Sequence, residues 1–99
     1  MDLKSSYFEF HSILTYVAKY APDQPSGNAL TAQKALKQLF ERFSDLRPRV
    51  KDRGATKLLL QCREELRAGR SAFDAGDPQE GRRRMLQALQ FLEAARVKT

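Results

Sequence analysis

His11, Cys62 and the carboxylates Glu64, Glu65 and Glu93 are the side chains here with the types needed for proton transfer, nucleophilic attack or metal binding. A histidine works as an acid or base near neutral pH when a carboxylate or second titratable group orients it. The sequence flags no such partner for His11, and no Glu-x-x-His pair suggests a carboxylate-bridged metal site. Cys62 is the single cysteine, so an internal disulfide is impossible, and its place on an apolar helical stripe predicts a small buried hydrophobe. The five glycines form no phosphate-cradling motif. Catalysis is therefore not expected, no cofactor or metal is implied, and no small-molecule substrate is evident.

Arginine offers a different chemistry. Its planar fork matches phosphate and carboxylate oxygens, and it keeps its charge at any physiological pH. The chain carries 18 Lys and Arg against 12 Asp and Glu, a net +6. The charge is uneven: residues 1–27 sum to −1 and residues 28–99 to +7. Arg47, Arg49, Lys51, Arg53 and Lys57 crowd one short stretch around Asp52, Arg63, Arg67 and Arg70 recur at helical spacing, and Arg82, Arg83 and Arg84 are consecutive. Three arginines at a helix start oppose its dipole, so local helix stability does not account for them. One reading is a phosphate-contacting surface for nucleic acid, made of Arg47, Arg49, Lys51, Arg53, Arg67, Arg70, Arg82, Arg83 and Arg84. The other is a solvated face laced with Glu64, Glu65, Asp74, Asp77 and Glu80. No stacking aromatics are interleaved with these arginines in the sequence, and no helix-turn-helix or ribbon motif is present.

Aromatic residues concentrate at the other end. Tyr7, Phe8, Phe10, Tyr16 and Tyr20 are five of the nine. On a helical wheel they widen the apolar arc of the first segment through Ile13, Tyr16 and Tyr20, with Phe8 on the opposite, polar side. Either the first helix sits centrally and spends this arc inside the protein, or Tyr7, Phe8, Tyr16 and Tyr20 form a protein interface.

The elements that position these residues follow from spacing. Apolar positions alternate four and three apart: Leu3, Tyr7, Phe10, Leu14, Val17, Ala21; then Ala32, Leu36, Leu39, Phe43, Leu46, Val50; then Ala55, Leu59, Cys62, Leu66, Gly69, Phe73; then Met85, Leu89, Leu92, broken at Arg96. Each run lays one stripe along a helix, and no stretch alternates as a strand would. Pro22, Pro25, Ser26 and Gly27 mark a turn, and Asn28 or Thr31 can cap the second helix. Pro48 ends or kinks that helix near Asp45–Arg47, leaving 47–54 as a basic connector closed by Gly54. Gly76-Asp77-Pro78-Gln79-Glu80 combines a left-handed glycine, an N-cap, a first-turn proline and a capping-box acid, which predicts a tight antiparallel hairpin. Through Gly69, Gly76-Asp77, Gly81, Ala88 and Leu89 this hairpin resembles a tetratricopeptide unit over about 25 residues. It lacks that family's aromatic and closing-proline positions and has no second copy, so the resemblance implies a helical hairpin and nothing more.

The fold expected is a single all-α domain, a small antiparallel bundle of about four helices at 4–21, 29–46, 55–75 and 78–97. A three-helix core with the first helix docked on a second protomer is the variant. With no apolar run long enough for a signal peptide or membrane span, the expected setting is the cytoplasm. The leading expectation of function is a non-enzymatic interaction module (an adaptor, regulatory subunit or chaperone-like partner), homo-oligomeric through helix one. The alternative is a basic protein bound to nucleic-acid phosphates.

Overall fold

The structure is a computed structural model that describes residues 2–20 and 32–95, with side chains for all of these except Tyr20, Ala32 and Gln33. The expected turn at 22–27, the caps Asn28 and Thr31, the Tyr20 side chain and the chain beyond Ala95 lie outside the described residues. Within them the regular elements are all helices: α1 (Leu3–Tyr20), α2 (Ala32–Leu46), a 3-10 turn (Arg47–Arg49), α3 (Arg53–Asp74) and α4 (Pro78–Ala94). The bundle is a small all-α one, as expected. Its longest extent, 36 Å, is close to the length of α3 alone, about 33 Å for 22 residues at about 1.5 Å each.

Local chemistry sets each boundary. Asp2 accepts the Ser5 N–H at 2.8 Å and starts α1, a cap the spacing argument did not anticipate. Pro48 falls where α2 gives way to the 3-10 turn, as its missing donor requires. Asp52 accepts the Ala55 N–H at 2.8 Å and opens α3 at Arg53. Gly54, Arg53 and Lys57 therefore belong to α3 and not to a connector, which shortens the expected loop to three residues after Arg49.

The α3–α4 turn satisfies the backbone groups that a helix end leaves orphaned. Gly76, at φ +81°, donates to Phe73 O at 3.1 Å, and Asp77 N–H donates to Ala72 O at 2.9 Å, the paired bonds of a Schellman motif. Asp77 then accepts the Glu80 N–H at 3.2 Å. The reciprocal half of the expected capping box is missing, because the Asp77 N–H is already spent on Ala72 and the Glu80 carboxylate is held by arginines.

Packing follows the stripes. Phe10, Leu14, Val17, Leu39, Leu46, Leu59, Cys62, Leu66, Met85 and Leu92 are fully buried, each large aliphatic side chain contributing roughly 1.5–3 kcal/mol on leaving water. In α4 the buried partner between Met85 and Leu92 is Ala88, with Leu89 only half-buried. The glycines Gly69 and Gly81 line the α3–α4 side, so these two helices approach closely. A Cβ added at Gly69 would lie 3.2 Å from the Gly81 carbonyl and 2.9 Å from the Met85 methyl.

α1 packs on both α2 and α4, and α3 on α4. The α1–α2 pair runs antiparallel, since Ser6 meets Asp45 (2.8 Å) while Glu9 meets Arg42 (3.1 Å). This double contact absorbs the wide apolar arc of α1: Tyr7, Ile13 and Tyr16 are half-buried against the core. Ser6, buried beside them, donates to Asp45 and so needs no apolar neighbour.

Two backbone substitutions probe the hairpin. Gly76→Ala forces a side chain into the left-handed region, and circular-dichroism melting should show a loss of about 1 kcal/mol. Gly69→Val overfills the α3–α4 contact and should cost about 1–3 kcal/mol. A variant as stable as the parent would mean that the two helices are free to separate without loss.

Candidate binding groove

On α2, Leu36, Phe40 and Ser44 follow one another four residues apart; on α3, Arg63, Arg67, Arg70 and Asp74 recur at four, three and four. These spacings place each set along one flank of its helix's buried stripe. The two flanks face each other across the one side of the bundle where the helices do not make the close backbone approach that joins α3 to α4. Two depressions lie along this seam. The first, about 440 Å³, is lined from α2 and its 3-10 turn by Phe40, Phe43, Ser44, Arg47 and Pro48, and from α3 by Arg63 and Arg67. The second, about 550 Å³, shares Phe40 and adds Leu36, Lys37 and Glu41 of α2 with Arg70 and Asp74 of α3.

The floor is aromatic and fixed. Phe43 is buried and meets Phe10 edge-on, ring centroids 5.6 Å apart at 62°. Phe40 is half-buried, and the Arg70 guanidinium lies 5.4 Å from its ring centroid, a contact worth about 0.5–1 kcal/mol when exposed. The arginines thus do have aromatic company, supplied by a different helix, which a linear reading cannot see. Phe43 is inside and closed to a nucleobase, and the Arg70 guanidinium occupies one face of the half-buried Phe40.

The wall is positive. Arg67 and Arg63 approach the same Glu64 carboxylate at 3.7 and 3.9 Å, too far for hydrogen bonds. Glu64 is itself largely exposed, so it screens them weakly. The Nε of Arg63 is buried and has no acceptor.

The remaining basic residues divide. Arg49 reaches Asp45 at 3.3 Å, and the Ser6 hydroxyl together with Arg49 holds the Asp45 carboxyl below its ordinary value. Arg47, Lys51 and Arg53 form no ion pair among the described residues. Glu80 is gripped by Arg83 through two bonds (2.6 and 2.9 Å) and by Arg84 through one (2.8 Å). These arginines push its carboxyl down to about 2. Arg84 also reaches Glu65 on α3 at 3.2 Å, and Arg82 is partnered too. The expectation that local structure leaves this triplet unexplained is corrected: Glu80 and Glu65 hold two of the three. Glu65 lies on the flank of α3 opposite Arg63, Arg67 and Arg70, so the triplet does not continue the groove wall.

On α1, Tyr7 stacks on His11 (centroids 5.9 Å apart, 26°), and burial, reinforced by Glu93, raises the Tyr7 hydroxyl above its ordinary value. His11 Nε2 lies 3.5 Å from the Glu93 carboxylate of α4. No local spacing could reveal that partner, because 82 residues separate the two in the numbering. Both side chains are solvent-exposed (36% and 58%) and the contact is long, so water competes for each. Phe8 is 68% exposed and lines a shallow depression with Lys4, Ser5, Tyr7 and Glu9. Cys62 is buried, its thiol pushed up to about 12 chiefly by burial, so it is neither a nucleophile nor a ready ligand at neutral pH. Among the described residues no group of three or more His, Cys, Asp or Glu could hold a metal ion, and no helix is long and apolar enough to cross a membrane.

No family model matches this sequence, and comparisons with curated proteins and with solved structures return no match either.

Two measurements test these assignments. The Glu80 carboxyl is depressed from 4.5 to about 2, so its stabilising effect is complete above pH 4.5 and is lost as pH falls toward 2. Glu80→Gln should therefore melt earlier than the parent at pH 7, with the two converging as the pH is lowered through that window. Phe8→Asp should shift stability by no more than about 0.5 kcal/mol, as an isolated surface position does. A larger loss, or a fall in the mass measured by light scattering, would instead assign Phe8 to an interface between copies.

Proposed function

We propose that this protein is a non-enzymatic helical interaction module that docks a partner protein. The observation that carries the reading is the open α2–α3 seam, which pairs an apolar aromatic floor with a row of arginines left without strong carboxylate partners. Such a combination offers a partner both buried apolar area and charge-assisted hydrogen bonds. The surface differs from the α1 face that the distribution of aromatics favours, because most of that face is spent on α2 and α4. Self-association through Phe8 remains a separate proposal, read by the mass measurement above. A cytoplasmic setting accords with the single cysteine.

Nucleic-acid association is the second reading, and its support is the set Arg47, Lys51 and Arg53, all exposed and outside any ion pair among the described residues. Phosphate binding would release counterions and fall steeply with salt. Binding of a random-sequence 20-mer DNA and RNA, compared at about 50 and 200 mM salt, separates the two. Under the protein-docking reading the affinity stays in the weak non-specific range, with Kd near or above about 100 μM at physiological salt. Low-micromolar, steeply salt-dependent binding that disappears when Arg47, Lys51 and Arg53 become alanine would establish nucleic acid as the partner instead.

A further inference from the structure

We infer that the α2–α3 groove receives an acidic amphipathic helix of a partner protein, with its carboxylates against Arg47, Arg63 and Arg67 and its apolar face on Phe40. This deepens the docking reading above and rests on it.

Three features of the groove select that occupant. First, the charge is graded along the seam. One end presents Arg47, Arg63 and Arg67 with no carboxylate among its lining residues; the other sets Lys37 and Arg70 against Glu41 and Asp74 and is balanced. A polyanionic backbone carries charge at every nucleotide and would meet two carboxylates at the balanced end. A peptide can place its acids at one end only, so graded charge suits protein and also fixes its direction. Second, the floor is apolar and offers little ring face for base stacking, because Phe43 is buried and Arg70 occupies one face of Phe40. An aliphatic or aromatic side chain of a helix can bury against the edge of Phe40 and Pro48, which a phosphate cannot. Third, the wall from Arg63 to Asp74 runs along three turns of α3, about 16 Å at about 1.5 Å per residue. An intruding helix of similar length would present side chains every three or four residues to the arginine row, which has the same period.

A second copy of this chain is the wrong occupant on charge. Its net +6 would bring a basic bundle against a basic wall.

The test is selection of a displayed random 16-residue peptide library against the intact protein, followed by anisotropy and amide-shift mapping with the enriched peptides. Enriched sequences should carry an excess of Asp and Glu together with apolar residues three and four apart. They should perturb the amides around Phe40, Arg63 and Arg67. Arg63→Gln with Arg67→Gln should weaken them at least tenfold, while Arg83→Gln, on the far side, should leave them unchanged. Melting curves for each variant confirm that the bundle is intact, and Arg63→Glu with Arg67→Glu should reverse the selection toward basic peptides.

Groove-binding peptides with no acidic excess, or ones indifferent to the charge reversal, would overturn the inference while leaving protein docking in place. Failure to enrich any groove-binding peptide, with random 20-mer DNA shifting the same amides, would overturn both. Equal binding of a plain poly-glutamate peptide would remove the apolar floor from recognition and with it the amphipathic helix.

Discussion

The close approach of α3 and α4 is the constraint on which the remaining arrangement depends. Glycines at 69 and 81 remove the side chains that would hold the two backbones apart, and the turn at Gly76 and Asp77 closes the hairpin with paired backbone bonds to Phe73 and Ala72. With α4 pinned to α3 along its small-residue side, its remaining apolar surface, Ala88 to Ala95, must be covered from elsewhere. α1 does this and, because its arc is wide, covers α2 as well. The order around the bundle is then α2, α1, α4, α3, and the fourth side is joined only through side chains. An open seam is what remains when three of the four sides pack closely.

Charge is distributed in the same geometry. Of the carboxylates that neutralise arginine, Glu80 and Glu65 gather at the α4 start and on the α4-facing flank of α3, while Glu9 and Asp45 pair with Arg42 and Arg49 along α1 and α2. Glu80 and Glu65 reinforce the hairpin while contributing little to a surface field. On the opposite flank Glu64 alone stands against two guanidiniums at loose distances. The short arginine–carboxylate contacts thus lie where helices pack closely, and the Arg47, Arg63 and Arg67 end of the open seam is left positive. Exposed pairs of this kind add little to stability one by one, so their consequence is mainly the sign of the field on each flank.

Much of this was legible in the residues. The four-three spacing identified the helices, and the Gly76–Glu80 signature located the hairpin, because both depend on neighbours close in sequence. Pro48 likewise ended α2 near where its ring requires. The site was less legible. Phe40 beside Arg70, Arg84 on Glu65 and His11 near Glu93 are all contacts between helices, set by how stripes rotate against one another, and periodicity says only that a stripe exists. The arc of α1 showed the same limit: its width was visible, but whether two helices of the same chain or another chain would cover it was not. Ser6 and Asp45 escaped notice because a buried serine looks like any small polar residue until its partner, 39 positions on, is placed beside it.

Cys62 gives the chain an internal clock. It stands in the middle of the α3 stripe, fully buried and with its thiol held protonated, so an aqueous thiol reagent can meet it only after α3 lifts from the core. The rate of that labelling counts opening events, and comparing it with the global unfolding rate would tell whether α3 leaves by itself or only with the whole bundle.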